Sequence, residues 1–309
     1  MDFVHNKILL VSIGIVLCLL GIIGNSISVY VLSKLNSKPL RLLRYLNVVD
    51  IGLLVMIFFG LMTTILQLER LVPSTLNVFL CTAPLFSTLQ TFGAYLTVLI
   101  AFVRCLAVAV PFRFSTCMRD SVQNKLLIAI AVFSLLFNVP VFLLWKLVFS
   151  DSFSDVLVLV HFHMTYLSLV FSCILPILVI VICNVILVVS RCRMRSLTRH
   201  NGECRSPETR RGRGAFQLTC LVLAITAMFI ATHGPFGVYK FVVLTSYISR
   251  DVALRVVSFT LLMTIINSAT NFIFYCLIGS EFRTTLISLC KKRPCFNTRR
   301  NSPMPVSSV

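Results

Sequence analysis

Seven apolar runs, each long enough for a helix to cross a bilayer, follow one another along this chain. Crossing the hydrocarbon core takes about 20 mostly apolar residues. The runs fall near residues 8–32, 45–66, 81–110, 126–149, 164–190, 215–244 and 252–278. In lipid every backbone polar group must be satisfied within the protein, which confines such segments to helices. The chain therefore reads as an all-α membrane protein, a seven-transmembrane helix bundle. The third and sixth runs exceed the minimum, so their ends tilt or protrude.

Composition agrees. Of 309 residues 58% are hydrophobic and 12% charged, against about 25% charged in an average soluble domain. A chain this apolar has too little polar surface to face water on all sides. The net charge of +18 points away from nucleic acid, because the basic residues sit in short runs between apolar stretches with no aromatic stacking platform among them. Six of the twelve cysteines, Cys18, Cys105, Cys173, Cys183, Cys220 and Cys276, fall in or beside apolar runs and read as small apolar filler.

The basic residues orient the chain. Segments after runs one, three and five, with the C-terminal tail, hold 22 of the 28 Lys and Arg; the N-terminus and the other three loops hold 6. By the positive-inside rule the richer side is cytoplasmic. The expected organisation is an extracellular N-terminus at 1–7, the bundle at 8–278 and a cytoplasmic segment at 279–309, in the plasma membrane. Lys7 precedes the first run, which is longer than a signal-peptide core and has no small-residue cleavage site after it, so it reads as a permanent anchor. With about seven residues ahead of it, no folded extracellular binding domain is expected. No Asn-x-Ser/Thr sequence occurs, so N-glycosylation is not expected either. Lys291-Lys292-Arg293 suits anionic headgroups among the membrane lipids.

Polar residues inside a membrane are costly, so they are functional candidates by default. Asp50 lies within run two, flanked on both sides by apolar residues; Asn25 follows Gly24 in run one. Run seven carries Asn267, Ser268 and Asn271, with Tyr275 one turn on. Asn267 and Asn271, four apart, share a helix face. Turned inward, these groups would build a polar cluster around Asp50, either as hydrogen-bonded packing or as a sodium or water site. Pro140, Pro176 and Pro235 interrupt hydrogen bonding in their runs.

In chain order these residues resemble the pattern of rhodopsin-like (class A) G-protein-coupled receptors. Gly24-Asn25 is similar to the first-helix motif and Leu46 with Asp50 to the second. Val103-Arg104-Cys105 resembles the Asp-Arg-Tyr region. Pro176 matches the fifth-helix proline, and Phe229 with Thr232-His233-Gly234-Pro235 the sixth-helix switch. The stretch from Asn267 to Tyr275 resembles the Asn-Pro-x-x-Tyr motif, and Gly279 to Arg283 the start of a short amphipathic eighth helix. A narrower likeness, to FMRFamide-receptor-like peptide receptors, is carried by Leu89-Gln90-Thr91, Leu135 to Pro140, Asn184 eight residues after Pro176, and the seventh-helix stretch.

The resemblance implies a receptor passing an extracellular signal to a heterotrimeric G protein. Arg104 would be the coupling residue, and Pro176, Phe229, His233, Pro235 and Tyr275 the activation switch. Amine receptors carry an Asp where this chain has Phe86, which argues against an amine ligand. Phe86 and Gln90 on run three, with Tyr239 and Lys240 on run six, are pocket candidates for a peptide or small polar ligand. Phe86 also reads as bundle core, and Lys240 as a side chain snorkelling to headgroups. Cys290 and Cys295 are either palmitoylated or unmodified. The Arg-rich stretch 191–214 reads as a solvated loop.

Departures from the pattern carry expectations of their own. Val103 replaces the acid that normally pairs with the arginine, so a weaker resting lock is expected. His233 replaces the switch tryptophan, and Phe272 the seventh-helix proline. The outer loop from Lys146 to His163 has no cysteine, so the usual disulfide to the start of helix three, near Cys81, is not expected.

Alternatives are a receptor-like protein that binds without coupling and a membrane transporter. A transporter calls for several charges within the runs or symmetric broken helices; here one acid lies mid-run. Nothing in the sequence suggests an enzyme. No metal-ligand spacing or nucleophile motif occurs, and His161 with His163 reads as a lone pair in an outer loop. No metal or cofactor is expected beyond a candidate sodium ion.

Overall fold

The computed structural model describes residues 2–35, 40–68, 76–111, 113–114, 118–143, 159–200, 210–245 and 250–291. Seven long helices run in order: α1 (Asp2–Leu35), α2 (Arg41–Leu68), α3 (Leu76–Ala109), α4 (Asp120–Phe137), α5 (Leu175–His200), α6 (Arg210–Thr245) and α7 (Arg250–Ile278). A shorter α8 (Ser280–Lys291) follows. No strand occurs among the described residues. Seven helical stretches are long and apolar enough to cross a membrane, one on each long helix, the fifth starting ahead of α5 at Val170. The protein is a multi-pass, seven-helix bundle.

Several boundaries differ from the sequence expectation, two of them with consequences for the ends of the bundle. The fourth spanning stretch is Asp120–Phe137, displaced from 126–149. Asp120 sits in the first turn of α4, where unpaired amides favour negative charge. The helix ends early because Pro140 lacks an N–H and disfavours helical backbone just before it. Asn138 closes α4 at φ −92°, ψ 6°, and a four-residue turn, Val139–Phe142, follows.

The Arg-rich stretch is also less open than expected. Residues 191–200 continue α5 and residues 210–214 begin α6; only 201–209 lie outside the described residues. Ahead of α5 the chain is π-helical at His163–Leu167 and Val170–Ile174. Pro176 has no N–H to offer the preceding turn, and wide turns gather where helical bonding is interrupted.

α3 is the hub, packed against α2, α4, α5 and α6, while α1 lies between α2 and α7. One apolar cluster, including Leu43, Leu46, Leu96, Leu99, Val222 and Tyr275, ties α2, α3, α6 and α7 together. A second, with Val11, Cys18, Leu54, Ile57, Leu61 and Ile265, joins the other end of α1, α2 and α7. The outward faces are as apolar as the inner ones: Leu9, Ile13, Val16, Leu20 and Ile23 of α1 are all exposed at helical spacing, as are Leu178, Val181, Ile182, Val185 and Val189 of α5. In water such a surface is an aggregation hazard; against lipid it is the expected one. α8 turns Phe282, Leu286 and Leu289 onto the first cluster and leaves Glu281, Arg283 and Lys291 exposed.

Candidate functional site

The polar residues of the spans meet between the two apolar clusters. Asn271 Nδ2 donates to Asp50 Oδ2 at 2.6 Å. Asn25 Nδ2 donates to the Ser268 carbonyl at 2.7 Å and the Gly21 carbonyl at 2.9 Å. One turn from Asp50, Asn47 Nδ2 donates to the Tyr275 hydroxyl at 2.8 Å and the Leu43 carbonyl at 2.6 Å. Asn25, Asn47, Asp50, Ser268, Asn271 and Tyr275 are all buried. Asn25 Oδ1, Asn47 Oδ1 and Ser268 Oγ are buried with no hydrogen-bond partner in the protein.

Four of the five residues expected in this cluster are thus brought together. Asn267 stands apart: its side chain is half-buried and joins none of these bonds. Asn47 is an addition that the sequence reading missed. Its signal was present, since Asn47 and Asp50 are three apart and share a helix face.

At the end of the bundle where the basic residues gather, Arg104 reaches across to α6. Its Nε and Nη2 donate to Thr219 Oγ1 at 3.2 and 2.9 Å, and Nη2 also donates to the Ala215 carbonyl. Val103 is half-buried beside it and packs on the apolar cluster. The arginine therefore has partners after all, but neutral ones, which satisfy its N–H groups without balancing its charge. Arg191 of α5 reaches the same two groups, Thr219 Oγ1 at 2.8 Å and the Ala215 carbonyl at 3.1 Å. A cavity of about 620 Å³ opens beside Arg104, with Leu42, Ile100, Asp120 and Leu218 on its walls. Across it, Arg41 bridges to Asp120 at 3.7 Å, tying α2 to α4.

Of the residues expected to form a switch, Phe229 and His233 are stacked, 4.1 Å between centroids and 17° between planes. Both are buried, and Cys173 donates to the His233 carbonyl at 3.5 Å. Pro176 is buried at the start of α5, and Pro235 lies inside α6. A further link joins α5 to α6, Asn184 Nδ2 to Thr226 Oγ1 at 2.9 Å.

The four pocket candidates fall into two pairs. Phe86 packs against both apolar clusters, and Gln90 is half-buried one turn on. Lys240 donates to Ser168 Oγ and lies 4.5 Å from the Phe236 ring centre; Tyr239 beside it is half-buried. Lys240 thus turns onto the fifth span. His163 departs from its expected place in an outer loop. It is buried on a π-helical turn, 4.7 Å from the Phe137 ring, with both ring nitrogens unpartnered. Burial, and then the Lys240 cation, hold its pKa below the usual histidine value. Cys290 is exposed on α8, and Cys295 lies outside the described residues.

Residues 145–293, just under half of the chain, match the family model described as serpentine type 7TM GPCR chemoreceptor Srw. No curated protein matches the chain. That model describes a family of receptors, not enzymes. Together with the seven-helix bundle, the match supports a G-protein-coupled receptor.

Proposed function

We propose that this chain is a rhodopsin-like receptor of the plasma membrane that couples an extracellular peptide or small polar ligand to a heterotrimeric G protein. The N-terminus is outside, and the end carrying Arg104 faces the cytosol. The observation that carries this reading is Arg104, which closes α3 onto α6 from the wall of a 620 Å³ cavity. Moving α6 away breaks those bonds, frees the guanidinium and opens the cavity to a cytosolic partner.

The outer halves of α3, the fifth span and α6 are the ligand side. There Gln90, Lys240, Ser168 and the unpartnered His163 nitrogens offer an amide, a cation, a hydroxyl and an imidazole. The narrower likeness to FMRFamide-receptor-like proteins favours a peptide, while the chemoreceptor description of the matched family favours a small molecule. A sodium ion beside Asp50 fits the oxygen-rich chemistry of that cluster. The Asp50 carboxylate, Asn25 Oδ1 and Ser268 Oγ are the groups that would hold it, and its charge would balance the carboxylate.

A screen for G-protein activation in cells, against peptide and small-molecule libraries, tests the reading. An activating compound should lose at least tenfold of its maximal response on Arg104→Ala at equal surface expression. An unchanged response would overturn the coupling role. The second reading, binding without coupling, is favoured by Val103. It predicts a ligand that binds saturably yet activates no G-protein class, in wild type and in Val103→Asp alike.

A further inference from the structure

Two arginines from different helices converge at the cytoplasmic end of the bundle on a single neutral hydroxyl. Arg104 Nη2 and Arg191 Nη2 stand 2.9 and 2.8 Å from Thr219 Oγ1, which places them within 5.7 Å of one another. Each guanidinium carries one positive charge. Among the described residues neither has a carboxylate within ion-pair distance; Asp120 at this end pairs with Arg41. Thr219 is buried, and its hydroxyl hydrogen is already given to the Ala215 carbonyl at 2.9 Å. Two cations thus share one hydroxyl oxygen and one carbonyl oxygen. The Nε of Arg191 is buried with no partner at all.

This is an incomplete pairing. A guanidinium presents five N–H groups in a planar fork that matches the spacing of oxyanion oxygens. Two forks aimed at one point, with donors to spare and two positive charges, fit a group carrying several oxygens and about two negative charges. A phosphate monoester has three such oxygens and a charge near −2 at pH 7. A single carboxylate supplies two oxygens and half that charge. Arg104 stands on the wall of the cavity that opens toward α2 and α4, and the Phe216 ring centre lies 5.9 Å from Arg191 Cζ.

We infer that Arg104 and Arg191 form a clamp for one phosphate group, supplied by an anionic lipid headgroup or by a soluble phosphate compound. Binding replaces Thr219 and Ala215 as acceptors, releases α6 from α3 and α5, and so favours the open cytoplasmic end. The inference rests on the cytoplasmic assignment of this end, and its test needs neither agonist nor G protein. A receptor silent in signalling assays would leave it standing, and absence of phosphate binding would leave the coupling reading standing.

The full chain is reconstituted in phosphatidylcholine nanodiscs, and thermal unfolding is followed at constant ionic strength. One arm adds inositol hexakisphosphate as the soluble probe; the other adds phosphatidylinositol 4,5-bisphosphate to the discs. A ligand that binds the native state raises its unfolding temperature. Stabilisation in the soluble arm identifies a soluble phosphate; stabilisation confined to the lipid arm identifies a headgroup. In either case Arg104→Gln and Arg191→Gln should weaken apparent affinity at least tenfold. Lys34→Gln, which removes an equal charge from an exposed position on α1, should leave it unchanged. Arg191→Lys keeps the charge and loses the fork, so it too should weaken binding severalfold, and it covers the case in which a Gln variant fails to fold. No stabilisation in either arm, or equal affinity in wild type and Arg191→Lys, would overturn the clamp.

Discussion

A lone carboxylate at the centre of a bilayer costs roughly 2.5–3.5 kcal/mol on insertion scales, so Asp50 survives only with compensation. The bond from Asn271 supplies part of it, since a hydrogen bond to a charged group returns about 1.5–3 kcal/mol. The Ser268 hydroxyl nearby can donate to the carboxylate, and the unpartnered Asn25 Oδ1 is an acceptor, which suits a cation or water more than a second carboxylate. Asp50→Asn keeps the shape and removes the charge. Surface expression should persist, while signalling, or its dependence on sodium, changes; radioligand binding with and without sodium is the measurement. If expression, ligand affinity and signalling all stay the same, the cluster is packing alone. Asp50 was legible in the sequence because nothing but function or burial in a polar nest explains a carboxylate there. That Asn267 stays outside the nest while Asn47 enters was not legible, because helical spacing gives a face but not which neighbour stands opposite.

Between elements, contact distance rather than propensity decides what fits. α1 lies so close to α7 that a Cβ at Gly21 would stand 2.8 Å from Ala269 Cβ and 3.2 Å from its Cα. The second of these is backbone, which cannot turn aside. Close approach through small residues is how membrane helices gain packing energy without a hydrophobic driving force. Gly21→Ala should therefore push α1 from α7 at a cost of about 1–3 kcal/mol. At Gly60 no atom lies within 4 Å of the added Cβ, and Gly60→Ala should be neutral or stabilise α2 by up to about 1 kcal/mol. Thermal unfolding of the two purified variants in one detergent separates them; equal midpoints would mean that α1 is free to shift.

For the molecule as a whole, the asymmetry of charge is the ground for the proposed orientation. With 22 of 28 basic residues on one side, an epitope tag inserted near residue 205 should be reached by antibody only after cells are permeabilised, and an N-terminal tag on intact cells. Staining of the internal tag on intact cells would reverse the orientation, and with it the assignment of Arg104 and Arg191 to the signalling end. In the proposed orientation the same polarity concentrates positive potential at the inner membrane face, where anionic headgroups are concentrated as well.

The sequence by itself determined the class of solvent and the number of helices, because hydrocarbon leaves backbone so few options that apolar length alone reports them. It also marked Asp50 and Arg104, since a charge among apolar residues stands out without any knowledge of its neighbours. Only the tertiary structure decided what those charges meet. Arg104, with Val103 and no acid beside it in the chain, meets Thr219, 115 residues away, with Arg191 beside it. His163 left its expected loop for a buried π-helical turn. Partners of this kind are fixed by how helices rotate and how closely they approach, and those follow from the packing of all seven together, which no single segment encodes.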